Sequence, residues 1–139
     1  MGDVELTKLL CTILGIVPGW EWREDGPAYT ANEVGIWYRT MGADPDRAIA
    51  VTVYGGTDPT VYEPQRRAQL HFRGARGDIA GADALADVAF LLLHERPRGQ
   101  GLSSIARTSF GSLSIDDNRR AERTDNYLIT LDNLEASTS

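Results

Sequence analysis

The sequence predicts an α+β domain: a mostly antiparallel β-sheet of about five strands with two helices packed on one face, in the order α-β-β-β-α-β-β. Three observations carry that reading. Between Arg66 and Arg73, the polar residues Arg67, Gln69, His71 and Arg73 alternate with Ala68, Leu70 and Phe72, the period-two signature of a half-buried strand. Ile79, Ala82, Leu85, Ala86, Ala89, Leu92 and Leu93 then follow at helical spacing and make an apolar stripe. About 17 helical residues span about 25 Å, as do about eight strand residues, so this helix can lie along this strand and cover one sheet face. The third observation is a run of further short alternating segments on either side of that unit, which supply the remaining sheet.

Taken in order, Asp3 to Leu14 reads as the first helix, with Leu6, Leu9, Leu10, Ile13 and Leu14 on one face and Gly15 as its stop. Between Ile16 and Gly35 the periodicity dissolves; Pro18-Gly19 and Gly26-Pro27 are turn signals. Trp20 and Trp22 lie between them in a charged, extended stretch. Two readings stand for this pair. It is a protein-binding edge, since tryptophan and arginine are enriched at interface hot spots, or its rings fold back on the sheet to bury area. Val34 to Thr40 reads as a short strand, residues 42–46 as a loop, and Arg47 to Tyr54 as a strand with Ile49, Val51 and Val53 on one face. Gly55 to Gln65 carries two prolines and little apolar content, so an exposed connector, free to protrude as an arm, is expected there.

After the strand at Arg66–Arg73, Gly74-Ala75-Arg76-Gly77 is expected to break the chain, and Asp78 to N-cap the long helix. Arg96 to Gly101 reads as a mobile, cationic turn. Leu102 to Leu113 reads as a strand anchored by Ile105 and Phe110, with Gly111 as a bulge position. A polar turn over Ser114–Arg120 leads to the last strand, Glu122 to Leu131. The chain is expected to form one domain over residues 1–134, followed by a disordered tail over 135–139.

Composition narrows the function. The 139 residues carry 14 basic and 20 acidic side chains, a formal net charge of −6, which argues against a dedicated nucleic-acid binder. Acidic charge is nevertheless compatible with DNA passing nearby, since like charge repels the phosphate backbone. The single cysteine, Cys11, sits among Leu9, Leu10 and Ile13 and reads as a small buried hydrophobe. No stretch is long and apolar enough to span a bilayer, and the N-terminus lacks the basic start of a signal peptide, so assembly in a cytoplasm and no membrane partner are expected.

A search for chemistry yields little. His71 and His94 have no second histidine or cysteine at ligand spacing, and a zinc site needs three or four such ligands. His94 is expected to act as a cation at the negative end of the long helix. No Gly-x-Ser-x-Gly elbow occurs. Asp44, Asp46, Asp116 and Asp117 are loop acids without calcium-loop spacing. Gly74-x-x-Gly77 lacks the Gly-Lys-Ser/Thr of a phosphate-binding loop, and the Arg76-Gly77-Asp78 adhesion tripeptide is explained by helix capping. No catalytic residue, metal site or cofactor is assigned, and the expectation is a structural protein rather than an enzyme.

Several stretches together resemble a known family. They are the N-terminal helix; Ile36-Trp37-Tyr38 running into Asp44-Pro45-Asp46-Arg47-Ala48; Tyr54-Gly55-Gly56; Gln69-Leu70-His71-Phe72-Arg73-Gly74; the alanine-rich helix closing on Leu91-Leu92-Leu93-His94; and Asp116-Asp117-Asn118-Arg119 leading to Asn126-Tyr127-Leu128-Ile129. In order and spacing they resemble the tail terminators of long-tailed bacteriophages, often labelled minor capsid proteins. The segment Gly15 to Asn32 is longer and richer in tryptophan than that resemblance implies. The resemblance implies a virion protein at the tail–neck junction. Such a protein forms a homo-oligomeric, usually hexameric, ring that caps the head-proximal end of the tail tube, stops its polymerisation and joins the head. Its implied partners are further copies of itself, the major tail tube protein and a head-completion or connector protein, while phage DNA passes through without specific binding. A ring of head-to-tail contacts needs two different patches on each copy. Tyr62, Arg66, Arg67, Gln69, His71 and Arg73 are assigned to subunit contacts, and Trp20, Trp22, Arg119 and Arg120 to the tube or neck. Two other readings stay open: a head-closure or connector protein of the neck, and a small α+β enzyme or ligand-binding domain built around His71.

Overall fold

In the computed structural model, residues 1–59 and 63–132 are described. Among them the order is α1 (Asp3–Leu14), β1 (Trp20–Trp22), β2 (Val34–Tyr38), β3 (Ala48–Thr57), β4 (Gln65–Arg76), α2 (Gly81–Leu93), β5 (Leu102–Ser112) and β6 (Arg120–Leu131). The strands form one sheet in the order β1-β2-β3-β4-β6-β5. The pairs β1–β2 and β2–β3 are parallel and the rest antiparallel. The fold is the expected α+β arrangement, and the sheet gains one strand, β1, that periodicity did not reveal. Three residues are too few to show an alternation.

The core follows the two periodicities. Ala68, Leu70 and Phe72 of β4, Ile49 and Val51 of β3, and Tyr127 and Ile129 of β6 project to one face and are almost fully buried. Leu6, Leu10, Ile13 and Leu14 of α1 cover the β1–β3 half of that face, and Leu85, Ala86, Ala89 and Leu93 of α2 cover the β4–β6 half. Trp20 and Trp22 share register with Val34 and Ile36, so both rings turn to this face: Trp20 is buried and Trp22 packs half-buried beside it. That decides between the two readings of the pair in favour of burial. Cys11 is buried in the same core, and burial pushes its thiol up to about 12.

The turn between β4 and α2 differs from the sequence expectation. The strand does not break at Gly74 but runs to Arg76, with a bulge between Arg73 and Arg76; Gly77, at φ 76°, makes the turn. Asp78 does not N-cap the helix. It accepts the Gly81 N–H through its backbone carbonyl, and α2 begins only at Gly81, with no side-chain cap. Ile79 consequently lies outside the helix and is exposed. Gly74 has another role. A Cβ added there would stand 2.9 Å from Ala82 N and 2.9 Å from Gly81 Cα, so the missing side chain is what lets α2 lie against β4.

Within Gly55 to Gln65 the described residues 55–59 are exposed, as expected of a connector, and residues 60–62 lie outside the described residues. Gly55, Gly56 and Thr57 pair with Arg67, Arg66 and Gln65, which lengthens the β3–β4 hairpin. In β5 the irregularities fall between Leu102 and Ser104 and between Arg107 and Ser109, while Gly111 pairs regularly with Thr124. The proposed disordered tail lies outside the described residues. Gly74→Ala is expected to force α2 away from β4 and to destabilise the chain by about 1–3 kcal/mol, read as a lowered midpoint in urea or thermal melts. An unchanged midpoint would show that the helix seats elsewhere.

Candidate interaction surface

With both helices on one face, the other face of the sheet is a surface the chain must satisfy alone. Parallel pairing dictates how part of it is covered. Joining β1 to β2, and β2 to β3, requires a crossover in each case, and here the crossovers are loops, residues 23–33 and 39–47, rather than helices. Ala48 and Ala50 face away from the helices, yet are 0% and 2% exposed; at Gly35, the partner of Ala48, a Cβ would meet Tyr29 and Pro45 of these loops at 3.0 and 3.1 Å, so the loops close over this part of the face. Tyr29 packs its ring edge-on to Trp37, with centroids 5.0 Å apart.

Arg73 fixes the second loop. Its Nε donates to the Asp46 carbonyl at 2.8 Å, and its Nη2 to the carbonyls of Gly42 and Pro45 at 2.8 Å each, with Ala43 at 3.4 Å. Arg120 reaches the same loop from β6. It donates to the Ala43 carbonyl at 2.8 Å and the Asp46 carboxylate at 3.3 Å, while its Nε donates to Asp116 at 2.8 Å. Arg76 adds an ion pair to Asp46 at 3.1 Å. Both Arg73 and Arg120 are 5% exposed. Burial first, and then the adjacent Arg120 charge, hold the Arg73 guanidinium below its ordinary pKa. Asp46 and Asp116, read from sequence as solvated turn acids, thus meet around arginines. Among the described residues no group of three His, Cys, Asp or Glu side chains is placed to hold a metal ion.

The first crossover is held by an ion pair. Arg23 donates to both Glu33 carboxylate oxygens, at 2.9 and 2.6 Å, and the Thr30 N–H donates to the same carboxylate at 2.6 Å. These bonds, the Arg23 side chain foremost, draw the Glu33 carboxyl down to about 2.

The uncovered part of the face spans β3, β4 and β6. Its polar side chains pair across strands: Gln69 donates to Asn126 at 3.3 Å, Asn126 to the Ser109 hydroxyl at 3.0 Å, and His71 Nε2 lies 2.6 Å from Glu122. Arg67 is exposed on this face, and Arg66 is tied to Asp3 at 2.7 Å and Asp58 at 2.6 Å. Of the residues assigned to subunit contacts, Arg67, Gln69 and His71 therefore share one open surface. Arg73 lies on the same side but is spent on its own loop, and Tyr62 falls outside the described residues. Of those assigned to tube or neck, Trp20 and Arg120 are buried, Trp22 is half-buried, and Arg119 is exposed in the β5–β6 turn at φ 62°.

On the helix side the sequence missed a charged cluster. Asp125 is fully buried on β6, receiving Arg123 Nε at 2.7 Å and Arg107 Nη1 at 3.3 Å; Arg123 also donates to Asp83 at 3.1 Å. The two guanidiniums lie over the Phe110 ring, and Arg107 over Phe90 as well. The alternation of Arg123, Asp125, Tyr127 and Ile129 was the available signal. His94 sits at the end of α2 and also contacts β5. Its Nδ1 accepts the Arg107 backbone N–H at 3.0 Å, and the ring stacks on Phe90.

The sequence profile of the bacteriophage tail terminator protein family matches residues 19–133. The chain belongs to that family. The match begins just before β1 and runs through β6, so it includes both crossovers, the Arg73 clamp and the whole sheet. This terminator-family chain is accordingly a structural protein of a phage tail, with the virion as its location. Among curated protein sequences there is no match. Its fold is similar to that of a chain in a solved structure titled "Virion of native gene transfer agent (GTA) particle". That likeness has 9% sequence identity and a TM-score of 0.58, over 94% of this chain and 89% of the other.

Two outcomes are expected of this surface. Arg73→Met leaves the carbonyls of the 42–46 loop without a donor and is expected to cost about 2 kcal/mol, with backbone hydrogen exchange rising in that loop first. Exchange unchanged there would remove the clamp. In the unfolded chain the Glu33 carboxyl protonates near 4.5, and in the folded chain near 2. Its stabilisation is therefore present above pH 4.5 and is lost as pH falls toward 2. Thermal melts of Glu33→Gln and the wild type are expected to differ above that range and to converge below it; a constant difference would contradict the assignment.

Proposed function

We propose that this chain caps the head-proximal end of the phage tail tube as a closed ring of identical copies, six in number, halting tube growth and offering the surface that receives the head. Family membership over residues 19–133 is the observation that carries this reading. The architecture is compatible with it. One sheet face is sealed by helices, and the other, with Arg67, Gln69 and His71, holds directional polar groups at strand spacing. In this reading the partners are neighbouring copies, the major tail tube protein and a head-completion or connector protein. DNA passes through the hole without specific binding, in keeping with a net charge of −6. Assembly takes place in the host cytoplasm, and Arg119 is the assigned cation best placed to reach the tube or neck.

The test is tail length by electron microscopy in a phage lacking the gene. Tubes of abnormal length, detached from filled heads, are expected. Tails of normal length that fail to hold heads would instead indicate a neck or head-closure protein, and intact infectious particles would overturn a structural role at the junction.

A further inference from the structure

The two edges of the sheet are unlike, and the β5 edge is itself divided. Its first half is closed by the chain's own backbone and one side chain. Gly99 and Leu102 exchange hydrogen bonds at 3.0 and 2.9 Å, the Glu95 N–H donates to the Ile105 carbonyl at 2.8 Å, and the Arg107 N–H donates to His94 Nδ1 at 3.0 Å. Beyond Arg107 no such closure occurs among the described residues. The stretch Thr108-Ser109-Phe110-Gly111-Ser112-Leu113-Ser114-Ile115 is exposed throughout and carries neither charge nor proline. Phe110, Leu113 and Ile115 are 59%, 47% and 57% exposed. Exposed edges are ordinarily guarded by charge, proline or a covering segment, because bare N–H and C=O groups recruit other strands. This one is guarded only as far as Arg107.

Resting on the ring reading above, we propose that the Thr108–Ser112 edge of β5 is where a second copy of this chain joins, by adding the opposite sheet edge, β1, of its neighbour. Two arguments select that occupant. Strand addition extends a sheet sideways, and joining unlike edges, β5 to β1, repeats with the same operator at every step, as a head-to-tail ring requires. Pairing of like edges would stop at two copies. Second, Ser109 and Gly111 on β5 and Glu21 on β1 all project to the open face of the sheet, so the joined sheets would present one continuous polar surface.

The test uses tails isolated from phage carrying Glu21→Cys with Ser109→Cys, and separately Glu21→Cys with Gly111→Cys, to sample two registers. A Cβ at Gly111 meets nothing within 4 Å, and the native Cys11 is buried. Oxidation of at least one double variant is expected to give a ladder of covalent oligomers that the single variants do not give. Dimers from Ser109→Cys alone, or no cross-link in either register, would overturn the proposal. A second variant, Ser112→Lys, places an inward-pointing charge on the bare edge. With its circular dichroism and melting unchanged, it is expected to reproduce the long tails of the gene deletion. Normal tails in this variant, alongside long tails in the deletion, would sink the edge contact while leaving the terminator reading in place. Normal tails in both would remove that reading itself.

Discussion

A sheet covered by helices on one face only must satisfy the other face with its own loops, and in this chain the Arg73 guanidinium decides how that is done. Placed by β4 alternation opposite Phe72, it enters a ring of carbonyls from residues 42–46 and donates to those of Gly42, Pro45 and Asp46. Arg120 and Arg76 complete the clamp through Asp46. Because the loop is the crossover between parallel strands β2 and β3, its position sets where Ala48 and Ala50 are buried and where the exposed polar surface begins. A guanidinium suits this role: it donates several hydrogen bonds in one plane and keeps its charge even when burial lowers its pKa.

The second constraint acts from the other face. Gly74 admits the first turn of α2 to within van der Waals range of β4, and the Arg123–Asp125–Arg107 cluster then fills the space between β6, β5 and the outer side of α2. The buried Asp125 charge is offset by two guanidiniums, each stacked on phenylalanine, so neither sign is left unpaired. The bulge between Arg107 and Ser109 turns both Arg107 and Phe110 toward this cluster. The same bulge marks where the chain's own cover of the β5 edge ends.

Much of this was legible from residue order alone. α1 is bounded at Asp3 and Leu14 as its sequence implies, and the alternation of β3, β4 and β6 gives the apolar residues that face the helices, but not the burial of Ala48, Ala50 and Arg73 on the other side or of Asp125. What escaped reading depended on partners distant in sequence. β1 is too short to alternate and is a strand only because β2 lies beside it. Asp78 has the chemistry of an N-cap, but the helix starts at Gly81, packed against Gly74, two residues later than a cap at Asp78 implies. Arg73 and Arg120 look like surface cations in the sequence because no pattern announces carbonyls 27 to 31 residues away from Arg73 and 77 residues away from Arg120. His94 sat where a helix-dipole cation belongs, and only the fold shows its nitrogen facing the β5 backbone. The tryptophans were ambiguous until pairing with Val34 and Ile36 fixed their face.

Family membership and fold together describe a tail protein whose two faces are finished and whose two sheet edges are unlike. The central claim is its place at one end of a tube. Cryo-electron microscopy of isolated tails bearing a small tag on this chain is the most direct measurement. The account predicts label in a single ring at the head-proximal end and none along the shaft. Label repeating along the tube, or confined to the head, would contradict it.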